Sequence, residues 1–189
     1  FIVDEDRLFF VIGDVSGKGV PAALFMAMTK TMLKSRAASD PSPASIVTHV
    51  NDSISADNDN CMFVTLYMGM LNLRNGTLLT TNAGHNPPLL KRRGGQFEWM
   101  KTQDGPFVGP MHGIVFTEST TQLEPGDELF LYTDGITEAD NVRRELFGNV
   151  RLKSVLDQSI SKSAANHIRE VMKAVKTFSG DIPQTDDIT

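Results

Sequence analysis

One stretch limits the folds open to this chain more than any other: Leu8-Phe9-Phe10-Val11-Ile12-Gly13-Asp14-Val15-Ser16-Gly17-Lys18-Gly19-Val20-Pro21-Ala22-Ala23-Leu24-Phe25-Met26. Its pattern is strand, tight loop, helix. Leu8 to Ile12 is a continuous apolar run rich in aromatic and β-branched residues, as a buried strand requires. Gly13, Gly17 and Gly19 let the backbone turn and approach a ligand closely. Pro21 suits a first helical turn. The first two turns of the helix are almost wholly apolar, which predicts burial on more than one side. Asp14, at the end of a buried strand, needs a partner for its charge, and a metal ion is the simplest one.

A phosphate-cradling loop of the Walker type is the rival reading. That pattern needs four residues between two glycines, then Lys and a hydroxyl residue. Here three residues separate Gly13 from Gly17, and Lys18 is followed by Gly19. The metal-binding Asp fits better.

A chain of 189 residues is long enough for one domain with a sizeable core, and its 40% hydrophobic and 22% charged residues suit a globular protein. It holds no apolar run of about eighteen residues, so no membrane span is expected. No signal peptide is recognisable at its start. The single Cys61 allows no internal disulfide, which suits a reducing compartment, and four His with one Cys disfavour zinc. A net charge of −5 argues against nucleic acid as the main partner. Phe1-Ile2-Val3 is already strand-like, and Asp187-Ile188-Thr189 reads as the start of another strand. The expectation is a single domain over 1–189, cut from something longer or with its edge strands missing at both ends.

Phe1 to Val3 and Leu8 to Gly13 should pair as a hairpin around Asp4-Glu5-Asp6-Arg7. A first helix is predicted from Val20 to Ala37. A second follows Asp40-Pro41-Ser42-Pro43, with Ser42 as N-cap and Ile46, Val47, Val50 and Ile54 as its apolar face. Asp57-Asn58-Asp59-Asn60 opens like a calcium loop but has Met62 where Gly is needed and Met68 where Glu is needed, so a solvated turn is expected. Strands are predicted over Met62 to Leu73 and Thr77 to Asn82 around Asn75-Gly76, a strong hairpin signal. Asn82-Ala83-Gly84-His85-Asn86-Pro87-Pro88 is a dense polar loop. His85 in it is a ligand, an acid, or a histidine that ties neighbouring loops together. Further strands are expected over Gln96 to Thr102, Ile114 to Gln122 and Glu128 to Tyr132, with an irregular Asp104 to Pro110. Helices follow over Asn149 to Gln158 and Ala164 to Phe178.

Asp14, Asp134 and Asp186 each fall at an expected strand–loop junction. Carboxylates without His or Cys suit hard, oxygen-loving ions such as Mg²⁺ or Mn²⁺, which usually serve phosphate chemistry. Gly13-Asp14-Val15-Ser16-Gly17-Lys18-Gly19, Asn82-Ala83-Gly84-His85-Asn86-Pro87, Tyr132-Thr133-Asp134-Gly135 and Thr185-Asp186-Asp187-Ile188-Thr189 occur in one order. In that order the chain resembles the SpoIIE-like (RsbU-type) branch of the metal-dependent protein phosphatases, the PPM superfamily. The resemblance implies an α+β fold, an α-β-β-α sandwich of two mixed antiparallel sheets flanked by helix pairs. It implies a Mn²⁺ or Mg²⁺ centre of two ions. Asp14 would bridge them, the Val15 carbonyl would help to hold one, and Asp134 and Asp186 would complete the first. Gly13, Gly17, Gly19, His85 and Asp187 would support the site from the surrounding loops.

The family's acidic ligand from a Gly-Gly-Asp-type motif before the opening hairpin is absent from this sequence, so the second ion would be depleted. Some relatives carry a His two residues after the bridging Asp; here that position is Ser16. The implied activity is hydrolysis of phosphoserine or phosphothreonine on a small partner, a phosphorylated anti-sigma-factor antagonist. The domain would be the output module of a bacterial signalling protein with an upstream sensor, in the cytoplasm, with a membrane tether of the full-length protein left open. The alternatives are a non-catalytic binding or switch module on the same fold and a nucleotide-binding enzyme using Lys18.

Overall fold

The computed structural model describes residues 2–159 and 163–189. Phe1 of the expected hairpin lies outside the described residues. In chain order the elements are β1 (Ile2–Asp4), β2 (Arg7–Val15), α1 (Val20–Ala37), α2 (Pro43–Ser55), β3 (Val64–Asn72), β4 (Thr77–Ala83), β5 (Leu89–Lys91), β6 (Phe97–Trp99), β7 (Asp104–Gly105), β8 (Ser119–Gln122), β9 (Glu128–Phe130), α3 (Asp134–Thr137), α4 (Gly148–Gln158) and α5 (Ala164–Ser179). They form two compact units. Unit 1 is Phe1–Pro87 with Lys101–Pro125, and unit 2 is Pro88–Met100 with Gly126–Thr189.

Unit 1 carries a sheet in the order β1-β2-β3-β4-β7, with β8 also on β4. All its pairings are antiparallel except the two-residue β4–β7 pair. β2 and β3 pair along their whole length, from Arg7 opposite Asn72 to Val15 opposite Val64. That ladder carries the strand past its expected end at Gly13. Gly13 is therefore a strand residue, not a turn. A Cβ there would lie 2.7 Å from the Thr65 carbonyl oxygen, so the missing side chain serves close strand approach.

α1 has the bounds read from the sequence, yet it is not buried on more than one side. Ala22, Phe25, Thr29, Leu33 and Ala37 form its one buried stripe. Val20 and Leu24 are 72% and 65% exposed. In α2, Ser42 Oγ accepts the Ser45 N–H at 3.2 Å and donates to Glu118 at 2.8 Å, and such a cap is worth about 1 kcal/mol. Ile46, Val47, Val50 and Ile54 are buried as expected, together with Phe9, Leu66 and Met68 of the sheet. The 57–60 turn is fixed by Asn58, whose amide bonds the Met62 and Gly109 carbonyls at 2.6 and 2.9 Å.

Unit 2 holds a three-stranded antiparallel sheet in the order β6-β5-β9, with Leu89 opposite both Trp99 and Phe130. Its core gathers Leu89, Phe97, Tyr132, Ile136, Phe147, Leu152 and Val171. Complete burial of a leucine such as Leu152 contributes about 2 kcal/mol. A polar cluster is set into this core. Buried His167 Nε2 lies 2.7 Å from Glu128, which also accepts from Lys91 Nζ at 3.0 Å. Burial raises the Glu128 carboxyl pKa, but the bonds from Lys91 and His167 outweigh it and hold the group below its ordinary value.

Several boundaries differ from the sequence reading. β5 arises just after the 82–88 loop, where no strand is expected, and β7 inside the irregular 104–110 segment. Residues 114–118 are not strand. The strand from Glu128 ends at Phe130, and Asp134 opens the one-turn α3. Residues 185–189 form no strand; they are held by individual bonds to Thr133.

Candidate metal centre

In unit 1, β2 places Asp14 at its penultimate position, opposite Thr65. The Asp14 residue is half-buried. Behind it, Thr65 Oγ1 lies 2.8 Å from His85 Nδ1 and 3.5 Å from the Asp14 carbonyl oxygen. His85 is buried, and its loop is closed on itself: the His85 N–H donates to Asn82 Oδ1 at 2.8 Å and Asn82 Nδ2 donates to the His85 carbonyl at 3.0 Å. Among the open readings of His85, this geometry favours the histidine that ties a loop to a strand end. Ser16 is likewise structural. Its Oγ accepts the Phe63 N–H at 2.9 Å, and its own N–H donates to the Phe63 carbonyl at 2.8 Å, which closes the end of the β2–β3 ladder. Gly17 and Gly19 then turn the chain into α1 with φ of 83° and 80°, a region that β-carbon-bearing residues rarely enter. Lys18 between them is exposed.

In unit 2, the candidate residues converge through Thr133. Its buried hydroxyl donates to the Asp187 carbonyl at 2.9 Å and accepts the Thr189 N–H at 3.1 Å. Gly135 follows one residue after Asp134, and a Cβ on it would run into the Asp187 carbonyl oxygen. The side chain that the glycine lacks thus makes room for the 186–189 segment. Asp134 is pinned by its carbonyl, which accepts the Glu138 N–H at 2.7 Å and the Thr137 hydroxyl at 3.2 Å. Asp186 is pinned by Gln184 Nε2 on its carbonyl at 2.6 Å and by the Asp187 N–H on its Oδ1 at 2.9 Å.

The two carboxylates thereby offer oxygens within 4.8 Å of each other. Asp134 Oδ1 is buried and has no hydrogen-bond partner among the described residues. A buried carboxylate oxygen left without a donor is costly, and a cation removes the cost. The donors present are all oxygen, which fits Mg²⁺ or Mn²⁺ and not zinc. Asp187 contributes through its backbone, since its side chain is exposed. Sequence reasoning named Asp134 and Asp186 but missed Thr133 as the clamp between them. The signal was available, because a Thr immediately before a candidate ligand can bond two backbone groups at once. Thr65 carried no such signal.

The profile of the SpoIIE family, described as Stage II sporulation protein E, matches residues 4–189. Protein IcfG of Synechocystis sp. is 32% identical over 218 residues, covering 100% of this chain and 34% of that protein. The phosphoserine phosphatase RsbU of Bacillus subtilis is 24% identical over 189 residues, covering 100% of this chain and 56% of RsbU. The chain thus spans about a third to just over half the length of these relatives. The PP2C phosphatase domain of SpoIIE from Bacillus subtilis superposes with a TM-score of 0.84 at 19% identity, over 100% of this chain and 54% of that one. The α+β fold with two sheets and helices is therefore that of PP2C-type phosphatases. No helix among the described residues is long and apolar enough to cross a membrane. With the match running from Asp4 to the last residue, the chain belongs to the SpoIIE family.

Proposed function

We propose that residues 1–189 act as one metal-dependent protein phosphatase domain. Its substrate would be phosphoserine or phosphothreonine on a small regulatory protein of the anti-sigma-factor antagonist type. The domain would serve as the cytoplasmic output module of a bacterial signalling protein. The observation that carries this reading is the Asp134–Asp186 pair with its buried, donorless oxygen. Asp14 and the Val15 carbonyl join the pair in this reading, and together they hold Mn²⁺ or Mg²⁺. A bound ion of this kind supplies Lewis-acid chemistry, drawing charge from phosphoryl oxygens and making water more acidic.

The chain's own groups supply orientation. Turn hydrogen bonds fix the backbone of Asp134, and the Asp187 N–H fixes the rotation of the Asp186 carboxylate. The Thr65–His85 pair stiffens the strand end that carries Asp14. Ser16 is committed to the Phe63 amide, so leaving-group protonation falls to solvent in this reading.

The test pairs Mn²⁺ titration calorimetry with release of phosphate from a phosphoserine protein. Asp134→Asn should lower Mn²⁺ affinity by about 100-fold or more and abolish turnover. Unchanged Mn²⁺ affinity would contradict the site. Metal binding without turnover in the wild type would favour the non-catalytic binding module.

A further inference from the structure

A cleft of about 550 Å³ opens in unit 2 between α5 and the 180–188 segment, in the size range of built ligand sites. One wall includes Gly135, the neighbour of Asp134, and another includes Thr185, the neighbour of Asp186. The cleft therefore borders the backbone of both candidate metal ligands.

Its floor is apolar, made by buried Val175 with half-buried Ile182 and Ile188 and the partly exposed Met172. Its rim is cationic. Arg169, Lys173 and Lys176 all line it from α5, at spacings of four and three residues that put them on one helix face. Asn166 Oδ1 holds the Arg169 guanidinium at 2.7 Å. Among the described lining residues the one acid is Asp140, and Arg144 already pairs with it at 2.8 Å. A chain of net charge −5 thus gathers three cations around one apolar hollow beside its acidic pair.

We infer that this cleft binds the segment flanking the phosphorylated residue of the substrate protein, selecting acidic side chains at the rim and an apolar side chain at the floor. The inference rests on the phosphatase reading above and adds where, and by what chemistry, the partner is recognised. Charge complementarity favours an anionic occupant. The apolar floor requires that occupant to carry hydrocarbon as well. The position beside Asp134 and Asp186 favours residues adjoining the phosphate. Exposed ion pairs are each worth a factor of a few in affinity, so three together give a preference of about tenfold, weakened by salt.

The test is a fluorescence anisotropy titration of the domain with two labelled peptides in the presence of magnesium. Both carry serine in place of phosphoserine, so no turnover intervenes. One has glutamates and a leucine beside the serine; the other has lysines for the glutamates. The wild type should bind the acidic peptide about tenfold more tightly at low salt, with the gap closing at 1 M salt, where the screening length falls to about 3 Å from about 30 Å at 0.01 M. Lys173→Glu with Lys176→Glu should reverse the preference, and Lys173→Gln with Lys176→Gln should cut it to about twofold, the share left to Arg169. Equal binding of both peptides by the wild type, or an unchanged preference in the charge-reversed variant, would overturn the inference. Hydrolysis of p-nitrophenyl phosphate by the wild type is measured alongside. Its absence would sink the phosphatase reading, while the peptide preference would still decide the cleft.

Discussion

Thr133→Val is the sharpest probe of how unit 2 holds its acidic segment. Valine matches threonine in shape, so the buried position loses a hydroxyl without gaining a cavity. The variant removes the bond to the Asp187 carbonyl at 2.9 Å and the bond from the Thr189 N–H at 3.1 Å. At a net value of about 1 kcal/mol each, the loss is about 2 kcal/mol, or about 30-fold in the docking equilibrium of the segment. The segment makes no strand ladder, so the loss should appear as local opening and leave global unfolding unchanged. Amide hydrogen exchange reads this directly: the Thr189 N–H should exchange about 30-fold faster, while amides in α5 keep their rates. Mn²⁺ affinity should fall by up to the same factor, because only the docked segment presents Asp186 beside Asp134. Unchanged exchange at Thr189 would refute the clamp.

Two further expectations concern the same unit. Gly135→Ala drives a Cβ against the Asp187 carbonyl oxygen, so it should cost about 1–3 kcal/mol in urea unfolding or release the 186–189 segment; an unaltered midpoint with unaltered exchange would contradict the contact. Glu128→Gln should cost about 2 kcal/mol at pH 7, since two bonds to a charged carboxylate are weakened and Lys91 loses its partner. The folded-state pKa of Glu128 lies below its ordinary 4.5, so its stabilisation is present above that value and is lost as pH falls through the folded value. The wild-type advantage over the Gln variant should therefore shrink in urea titrations at about pH 3, and an advantage equal to that at pH 7 would contradict the assignment.

What the sequence revealed depended on how local the cause was. The start of α1 follows from Gly19-Val20-Pro21, and the start of α2 from Ser42-Pro43, because caps and φ constraints act within a few residues. The Asn75-Gly76 hairpin was legible for the same reason. The end of β2 was not, because its last residues are strand only through the Val64 to Leu66 ladder about fifty positions on. β5 and β7, three and two residues long, are too short to carry a period. The exposure of Val20 and Leu24 was hidden as well, since composition reports apolarity and not which face finds a neighbour. Of the site, the carboxylates and glycines were readable as motifs. The hydrogen bonds that orient them were not: Thr133 reaches 54 and 56 positions along the chain, and Thr65 reaches 20.

The order in which unit 2 is woven has a consequence for synthesis. Its sheet needs Leu89–Lys91 beside Glu128–Phe130, and Lys91 and Glu128 are 37 residues apart. At about 5–20 residues per second, a nascent chain extrudes the first strand about 2–7 s before its partner. During that interval the strand partner of β5 among the described residues is the three-residue β6, and an isolated hairpin of that size is marginal in water. Leu89 and Phe97, both buried in the finished protein, wait in the open on an unpaired edge. The ribosome-bound intermediate thus presents an apolar strand edge that the finished protein covers, a surface open to aggregation and to a chaperone.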